Sequence, residues 1–291
     1  MLFGSLLWGL TWMPIKYFGS VGLTGITLTL CTYGVVGALM LPIIGARFAA
    51  WKSQWPLLLL LAALFGGIAN GSFVTALMEG NVTRVMLLFY LIPVWGALGG
   101  RLFLHETISP TRHAAVTLSI IGAFLVLGGP ATLAGPLELI DILALAAGLF
   151  YTAQNIAFRA ADRIPATIKA MAVFAGCGVV AATILPLTGH GMPAVDAALA
   201  LKLGAFALFW LTLAMLASTY GASHLEAGRA SVLVLGELVT AVVSAMVVGG
   251  ERLNAMGWCG AVLILAAAVL EARSASAPAA SSISLSGGRT P

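Results

Sequence analysis

Residues 84–106 read RVMLLFYLIPVWGALGGRLFLHE, and residues 229–251 read RASVLVLGELVTAVVSAMVVGGE. Both stretches run from an arginine through one apolar segment to a glutamate, at an offset of 145 residues. A second match places the GLTW of Gly9–Trp12 on the GLFY of Gly148–Tyr151, at an offset that a short loop insertion would explain. Self-similarity at a long offset is typical of an internal repeat. The sequence therefore predicts two related halves.

The composition places nearly the whole chain in lipid. Apolar residues make up 60% of the 291 residues and charged residues only 8%, whereas soluble domains are about half apolar and about a quarter charged. A β-barrel would show alternating strands of about ten residues, but the apolar stretches here are continuous for about twenty. Helices satisfy their own backbone groups in a bilayer. We therefore predict an all-α integral membrane protein.

Windows of about twenty residues predict ten transmembrane helices. They are Leu2–Tyr17, Thr24–Ala46, Pro56–Met78, Val82–Leu102, Arg112–Gly128, Leu139–Phe158, Thr167–Leu187, Leu199–Ser223, Ala227–Val248 and Ala255–Leu270. The first repeat is expected over residues 1–130, the second over 137–272, and a disordered C-terminal tail over 273–291. Because each half has an odd number of spans, the two five-helix repeats must be inverted. This arrangement is typical of secondary transporters, which bind substrate at the midplane between the halves.

The basic residues predict the orientation of the chain. If the N-terminus is cytoplasmic, ten of the 14 lysines and arginines fall on the cytoplasmic side. The positive-inside rule then predicts a multi-pass protein of the bacterial inner (plasma) membrane with both termini in the cytoplasm. The net charge of +4 comes from scattered residues, so we expect no nucleic-acid partner.

Several short motifs resemble a known family. They are Leu7–Trp12 (LWGLTW), Tyr90–Ala97 (YLIPVWGA) leading to His105–Glu106, and Leu235–Glu237 (LGE) leading to Gly250–Glu251. Together they are similar, over about the whole length, to the EamA family of the drug/metabolite transporter superfamily. The Tyr90-x-x-Pro93 stretch is most similar to the YddG-type aromatic amino-acid exporters, which implies export of aromatic amino acids and related amphiphiles. An alternating-access mechanism across a central cavity is expected from the inverted halves.

Glu237 is the candidate coupling or cavity residue. It lies near the centre of its span, where an ionised carboxylate costs at least ~2.5 kcal/mol unless it is paired, hydrated or protonated. It must therefore face protein or water. A proton-coupling or ammonium-binding role is one interpretation, and a protonated carboxyl bonded across a helix interface is the other.

The aromatic and amide residues at midspan are the candidate substrate-binding residues. Trp8 and Trp12 share a face of the first span, and Tyr151 and Asn155 share the equivalent face of the sixth. Two such faces could stack an aromatic ring and bind its polar head. Interfacial anchoring is the alternative for the tryptophans.

Three further residues complete the predicted site. Tyr90 precedes Pro93, which frees a carbonyl within the fourth span. Asn70 follows Gly66 and Gly67, so it could equally mark a close helix contact. Trp210 is the weakest candidate, because large aromatic residues in membrane helices often pack or anchor.

No catalytic or metal-binding motif stands out. His105–Glu106 begins no HExxH, and neither GxSxG nor a phosphate loop occurs. We expect no cofactor, no metal and no enzymatic activity, although an enzyme acting on lipid-linked substrates is a distant alternative. Glu106 and Glu251 are repeat-equivalent and are predicted to fix helix ends or gates.

The expected partners are a small-molecule substrate and the lipid bilayer. The Gly96-x-x-x-Gly100 and Gly257-x-x-x-Ala261 motifs allow close helix packing within a monomer or between two. Because one chain contains both halves, we expect it to work as a monomer. A broad-specificity drug/metabolite efflux carrier is the runner-up function.

Overall fold

The architecture is described by a computed structural model. It describes residues 2–46, 56–103, 110–130, 137–161, 163–189, 192, 194–224 and 227–274, but not the side chains at 93, 100, 103, 112, 219–234 and 271–274. Over these residues the chain folds into helices without strands. Six stretches are long and apolar enough to cross a membrane, namely Gly25–Ala46, Pro56–Glu79, Val82–Gly99, Leu139–Ala160, Ala166–Thr188 and Ala197–Ser218. The protein is therefore a multi-pass membrane protein.

Helical residues occur in each of the ten predicted spans. The helices are α1 (Leu2–Gly9), α2 (Trp12–Ser20), α3 (Gly25–Ala46), α4 (Pro56–Glu79), α5 (Val82–Phe89), α6 (Ile92–Phe103), α7 (Pro110–Val126), α8 (Leu139–Ala160), α9 (Ala166–Ile184), α10 (Ala197–His224), α11 (Ala227–Val247) and α12 (Ala255–Ser274). The last helix continues to Ser274, so most of the predicted tail lies outside the described residues. Ten crossings and the inversion of the two halves stay predictions.

Two of the predicted spans are interrupted at their centres. The first is divided into α1 and α2 at Leu10–Thr11, and the fourth into α5 and α6 at Tyr90–Leu91. Position 93 is a proline, which has no backbone N–H to donate, so a helix that approaches it must end or bend. Interrupted helices expose backbone polar groups in the membrane only where protein or a cavity surrounds them.

Two long helices contain a π-helical turn. Leu30–Gly34 forms this turn within α3, and Phe206–Leu211 forms it within α10. π-turns are frequent at functional sites because the extra residue re-aims the side chains around it. Here they carry Tyr33, which is buried, and Trp210, whose indole nitrogen contacts the first span.

Glycines allow α4 to pack closely on α8 and α9. A Cβ atom at Gly67 would lie 2.5 Å from the carbonyl oxygen of Gly176, and one at Gly66 would collide with the side-chain oxygen of Gln154. α7 and α12 approach equally closely at Gly122 and Gly260, where the corresponding Cβ–O distances are 2.8 and 2.6 Å. Small residues at these crossings bring the backbones together, as in many membrane helix pairs.

Candidate substrate cavity

A cavity of about 280 Å³ lies between residues of the first 92 positions and residues after position 150. Its wall is formed by Trp8, Thr11, Tyr33, Gly66, Ala69, Asn70, Phe73, Phe89, Tyr90, Ile92, Tyr151, Gln154, Phe158, Ala170, Val173, Phe174, Cys177 and Glu237. Sites for small molecules usually enclose about 300–1,000 Å³. This cavity is therefore of a size for a small metabolite.

Three helices each present one continuous stripe to the cavity. The lining residues of α4 lie at 66, 69, 70 and 73, those of α9 at 170, 173, 174 and 177, and those of α8 at 151, 154 and 158. This spacing places the side chains of each set on one helical face. The cavity is thus formed largely by regular helix faces, and its remaining wall comes from the two interrupted spans, Tyr33 of α3 and Glu237 of α11.

Among the residues that line the cavity, Glu237 is the one with a carboxylate side chain. Its half-buried side chain on α11 is hydrogen-bonded to the hydroxyl of Tyr90, which lies at the interruption between α5 and α6. A phenol that donates to a carboxylate forms a charge-assisted bond when the carboxylate is ionised. The two residues therefore connect an interrupted span of the first half with a helix of the second half.

Two amide side chains extend the polar part of the site. The Asn70 amide lies beside the Tyr33 hydroxyl, and the Asn155 amide lies beside the Tyr151 hydroxyl. The Asn70 oxygen Oδ1 is buried and accepts no hydrogen bond from the described residues. An unsatisfied buried acceptor costs about 1–3 kcal/mol, so a donor on a bound molecule would be favourable at this point.

Aromatic rings form the apolar part of the wall. The ring of Phe89 lies 4.7 Å from that of Phe73, 5.4 Å from Tyr90 and 5.5 Å from Tyr151, measured between centroids. Aromatic pairs prefer offset or edge-on contacts at these distances. The cluster therefore gives this part of the wall a continuous aromatic surface.

The structure brings together five of the eight residues predicted to bind or couple. Trp8, Asn70, Tyr90, Tyr151 and Glu237 all line the cavity. Trp12, Asn155 and Trp210 are not among its lining residues, and Asn155 touches the site only through Tyr151. The role of all eight residues in binding or coupling stays a prediction.

Trp12 and Trp210 instead connect helices. The indole nitrogen of Trp12 donates to Ser244 Oγ on α11 at 2.8 Å, and that of Trp210 donates to Leu7 O and Thr11 Oγ1 at 3.2 and 3.1 Å. Leu7 lies in the last turn of α1, and Thr11 lies in the interruption of the first span. Trp210 thus donates to two oxygen atoms near the interruption. One of its two acceptor residues, Thr11, also lines the cavity.

Residues of the site that the sequence did not single out are mostly aromatic. They include Tyr33, Phe73, Phe89, Gln154, Phe158 and Phe174. Gln154 and Phe158 share the helical face of Tyr151, so helical periodicity could have indicated both. Tyr33 lies in a π-turn, where ordinary periodicity fails.

Metal-binding side chains do not cluster in the described residues. No group of three or more His, Cys, Asp or Glu residues within them could hold a metal ion. His105 and Glu106 lie outside the described residues.

Comparisons with known proteins place the chain among membrane transporters. The model of the EamA-like transporter family matches residues 1–128 and 138–272. No curated protein matches the chain. A solved structure whose title reads only "Crystal structure of protein" is 18% identical, with a TM-score of 0.60 over 95% of this chain and 97% of that one. At that identity the similarity shows the fold alone.

Proposed function

Because this chain belongs to the EamA-like transporter family, we propose that it exports small amphiphilic solutes, with aromatic amino acids as the principal class. The observation that carries the proposal is the Glu237–Tyr90 pair at the edge of an aromatic cavity. Its carboxylate suits a substrate ammonium group, and the rings around Phe89 suit an aromatic side chain.

The proposed mechanism is alternating access. The cavity is bounded by α1, α3, α4 and α5 on one side and by α8, α9 and α11 on the other. Movement of one set against the other would expose the cavity to each side of the membrane in turn. The two interrupted spans give this movement its flexible points, because the N–H groups of Thr11 and Leu91 bond to carbonyls three residues back instead of four.

The remaining parts of the proposal concern the cellular setting. We place the protein in the bacterial inner membrane with both termini in the cytoplasm, acting as a monomer on a small-molecule substrate. The distribution of basic residues supports the orientation. The presence of a lined cavity within one chain supports the monomer.

The proposal is tested by uptake into proteoliposomes. Radiolabelled phenylalanine, tryptophan, alanine and glutamate are compared with and without an imposed proton gradient, and protein-free vesicles give the background. We expect the aromatic pair to enter faster than alanine and glutamate. Entry of drugs or other metabolites, but of none of these amino acids, would replace this substrate class with that of a broad-specificity efflux carrier.

A pair of phenylalanine substitutions connects uptake to the cavity. Phe73→Ala removes a ring from the cavity cluster, whereas Phe209→Ala removes one that is 74% exposed at the bundle surface. Only Phe73→Ala should weaken uptake of the aromatic substrates. Equal effects of the two changes would separate transport from this cavity.

A further inference from the structure

One end of the bundle is closed by hydrogen bonds between the two halves of the chain. Glu251 follows α11 and accepts hydrogen bonds from the backbone N–H groups of Val82 and Thr83, at 2.7 and 2.9 Å. These are the first two residues of α5. A carboxylate of the second half therefore caps a helix of the first half.

The cap is complete at this helix end. The side chain of Asn81 accepts from the N–H of Arg84 at 2.8 Å, and the N–H of Val85 returns to the carbonyl of Asn81. The four N-terminal N–H groups of a helix otherwise lack partners. Glu251 thus supplies two acceptors that α5 cannot provide for itself, and its charge is favourable at the positive end of the helix dipole.

The backbone before Glu251 is shaped for this contact. Gly250 has a φ of +69°, in the left-handed region that favours glycine. The glycine reverses the chain directly after α11 and directs the next residue towards α5. No atom lies within 4 Å of a Cβ built at Gly250, so its requirement is conformational rather than steric.

A bidentate ion pair lies beside the cap. Arg84 donates from Nε and Nη2 to the two carboxylate oxygens of Asp141, each at 2.7 Å. Asp141 is only 1% exposed, and it lies in the first turn of α8. The bidentate geometry joins α5 of the first half to α8 of the second with two charge-assisted bonds.

Lys16 completes the cluster. Its ammonium group donates to the carbonyl of Gly80 at 2.5 Å, and it lies near enough to Glu251 for the two charges to attract. Gly80 directly follows α4. Lys16 thus joins α2 to the end of α4, next to the carboxylate that caps α5.

These contacts lie at a distance from the cavity along the helix axes. Asp141 precedes Tyr151 by ten residues and Phe158 by seventeen, which correspond to roughly 15 and 25 Å at 1.5 Å per residue. The lining extends in the other direction, to Phe158 near the end of α8 and Ala170 near the start of α9. The contacts therefore close one end of the bundle, and the cavity extends towards the other.

From this arrangement we infer that Lys16, Arg84, Asp141 and Glu251 form a gate, here called the end lock, which must break before the cavity can open at this end. The inference rests on the proposed alternating access. In the predicted orientation the end lock faces the outside of the cell. Each opening would uncap α5 and break the ion pair, and each closure would restore both.

Accessibility of the cavity to thiol reagents tests the end lock without requiring a known substrate. Cys31, Cys177 and Cys259 are replaced by serine, and Ala69→Cys supplies one reporter in the lining. A membrane-impermeant thiol reagent is applied to intact cells and to inverted vesicles. In the parent we expect slow labelling from the lock end and faster labelling from the opposite end.

Loss of the cap should open the lock end. Glu251→Gln is isosteric, but its amide provides one acceptor for two N–H donors. We expect labelling from the lock end to rise roughly tenfold or more, as the loss of a hydrogen bond to a charged group implies. Glu79→Gln, an exposed glutamate at the end of α4, should leave the rate unchanged. An unchanged rate in Glu251→Gln protein that elutes as a folded monomer would overturn the inference.

A cross-link tests the same gate in a protein with the cap intact. Arg84→Cys and Asp141→Cys are joined by a bifunctional thiol reagent with a cleavable disulfide, chosen to span the gap left by the guanidinium arm. The cross-linked protein should lose labelling from the lock end and all transport, and reduction should restore both. Full transport after complete cross-linking would show that α5 and α8 do not separate at this end. Absence of transport in the uncross-linked parent would count against the proposed function alone, because the labelling result stands without it.

Discussion

Gly148 is a position where one added methyl group should disturb the helix contact beside the cavity. A Cβ atom there would lie 2.5 Å from the carbonyl oxygen of Phe89 and 3.4 Å from Trp95 Nε1. The obstacle is backbone, so no side-chain rotation can relieve it. Phe89 is the last residue of α5 and precedes Tyr90, whose hydroxyl contacts Glu237.

The size of the disturbance follows from ordinary contact distances. Carbon and carbonyl oxygen approach to about 3.3–3.6 Å, so Gly148→Ala must push α8 and α5 apart by about 0.8–1.1 Å. Overpacking of this kind costs about 1–3 kcal/mol. The same displacement moves Tyr90 relative to Tyr151, so transport should fall together with stability.

Thermal stability and transport are measured on the same purified protein. The half-life at a fixed elevated temperature is followed by size-exclusion chromatography in detergent, because large membrane proteins commonly unfold irreversibly. Gly204→Ala is the control, since no atom lies within 4 Å of its Cβ and it too lies within a helix. Alanine there should be neutral or stabilising by up to about 1 kcal/mol. If Gly148→Ala were as stable and active as Gly204→Ala, the close contact between α5 and α8 would be refuted.

Three further substitutions address the polar residues. Tyr90→Phe keeps the ring but removes the hydrogen bond to Glu237, so uptake at low substrate concentration should fall roughly tenfold or more; unchanged uptake would remove that bond from the mechanism. Glu237→Gln cannot exchange a proton, and stimulation of uptake by a proton gradient should disappear while exposed Glu79→Gln keeps it; an unchanged gradient effect would exclude Glu237 from coupling. Trp12→Phe loses its indole bond to α11 and should cost about 0.5–1.5 kcal/mol in detergent stability with substrate affinity unchanged, whereas 46%-exposed Trp258→Phe should affect neither; weaker substrate affinity would return Trp12 to the binding site.

The polar residues of the site were predictable because the spans are so apolar. Asn70, Tyr90, Tyr151 and Glu237 stand out in sequences of leucine, valine and alanine, and a polar side chain at midspan must find protein or water. All four line one cavity. The sequence thus indicated residues that line the cavity without showing how the helices are arranged.

Tryptophan was harder to assign because its indole has several uses. Trp8, Trp12 and Trp210 have the same chemistry, but their N–H groups donate to Ser218, Ser244 and Leu7 respectively. Only Trp8 also lines the cavity. Which of these partners is available depends on helices that are distant in sequence, and periodicity within one helix contains no such information.

The interruption of the first span was not predicted. For the interruption of the fourth span, the sequence does contain a signal. Pro93 indicates a break near Tyr90 because proline has no N–H donor. Leu10–Thr11 has no proline, and its break depends on contacts such as those of Trp210 with Leu7 and Thr11. A break that is held by tertiary contacts leaves no local pattern in the sequence.

In the predicted repeat, the two ends of the bundle need not close equally well. At the offset that aligns Gly9 with Gly148, Asp141 of the end lock corresponds to Leu2. The arginines at 84 and 229 are equivalent by sequence, but the position that corresponds to Asp141 is a leucine. The Arg84–Asp141 ion pair, with its 1%-exposed carboxylate and two bonds of 2.7 Å, therefore favours closure at the Asp141 end. Leu2 cannot form an equivalent ion pair. Because a ligand shifts such an equilibrium only through its different affinity for the two states, substrate bound to the Glu237 cavity must gain more from the state with the end lock open than the broken contacts cost.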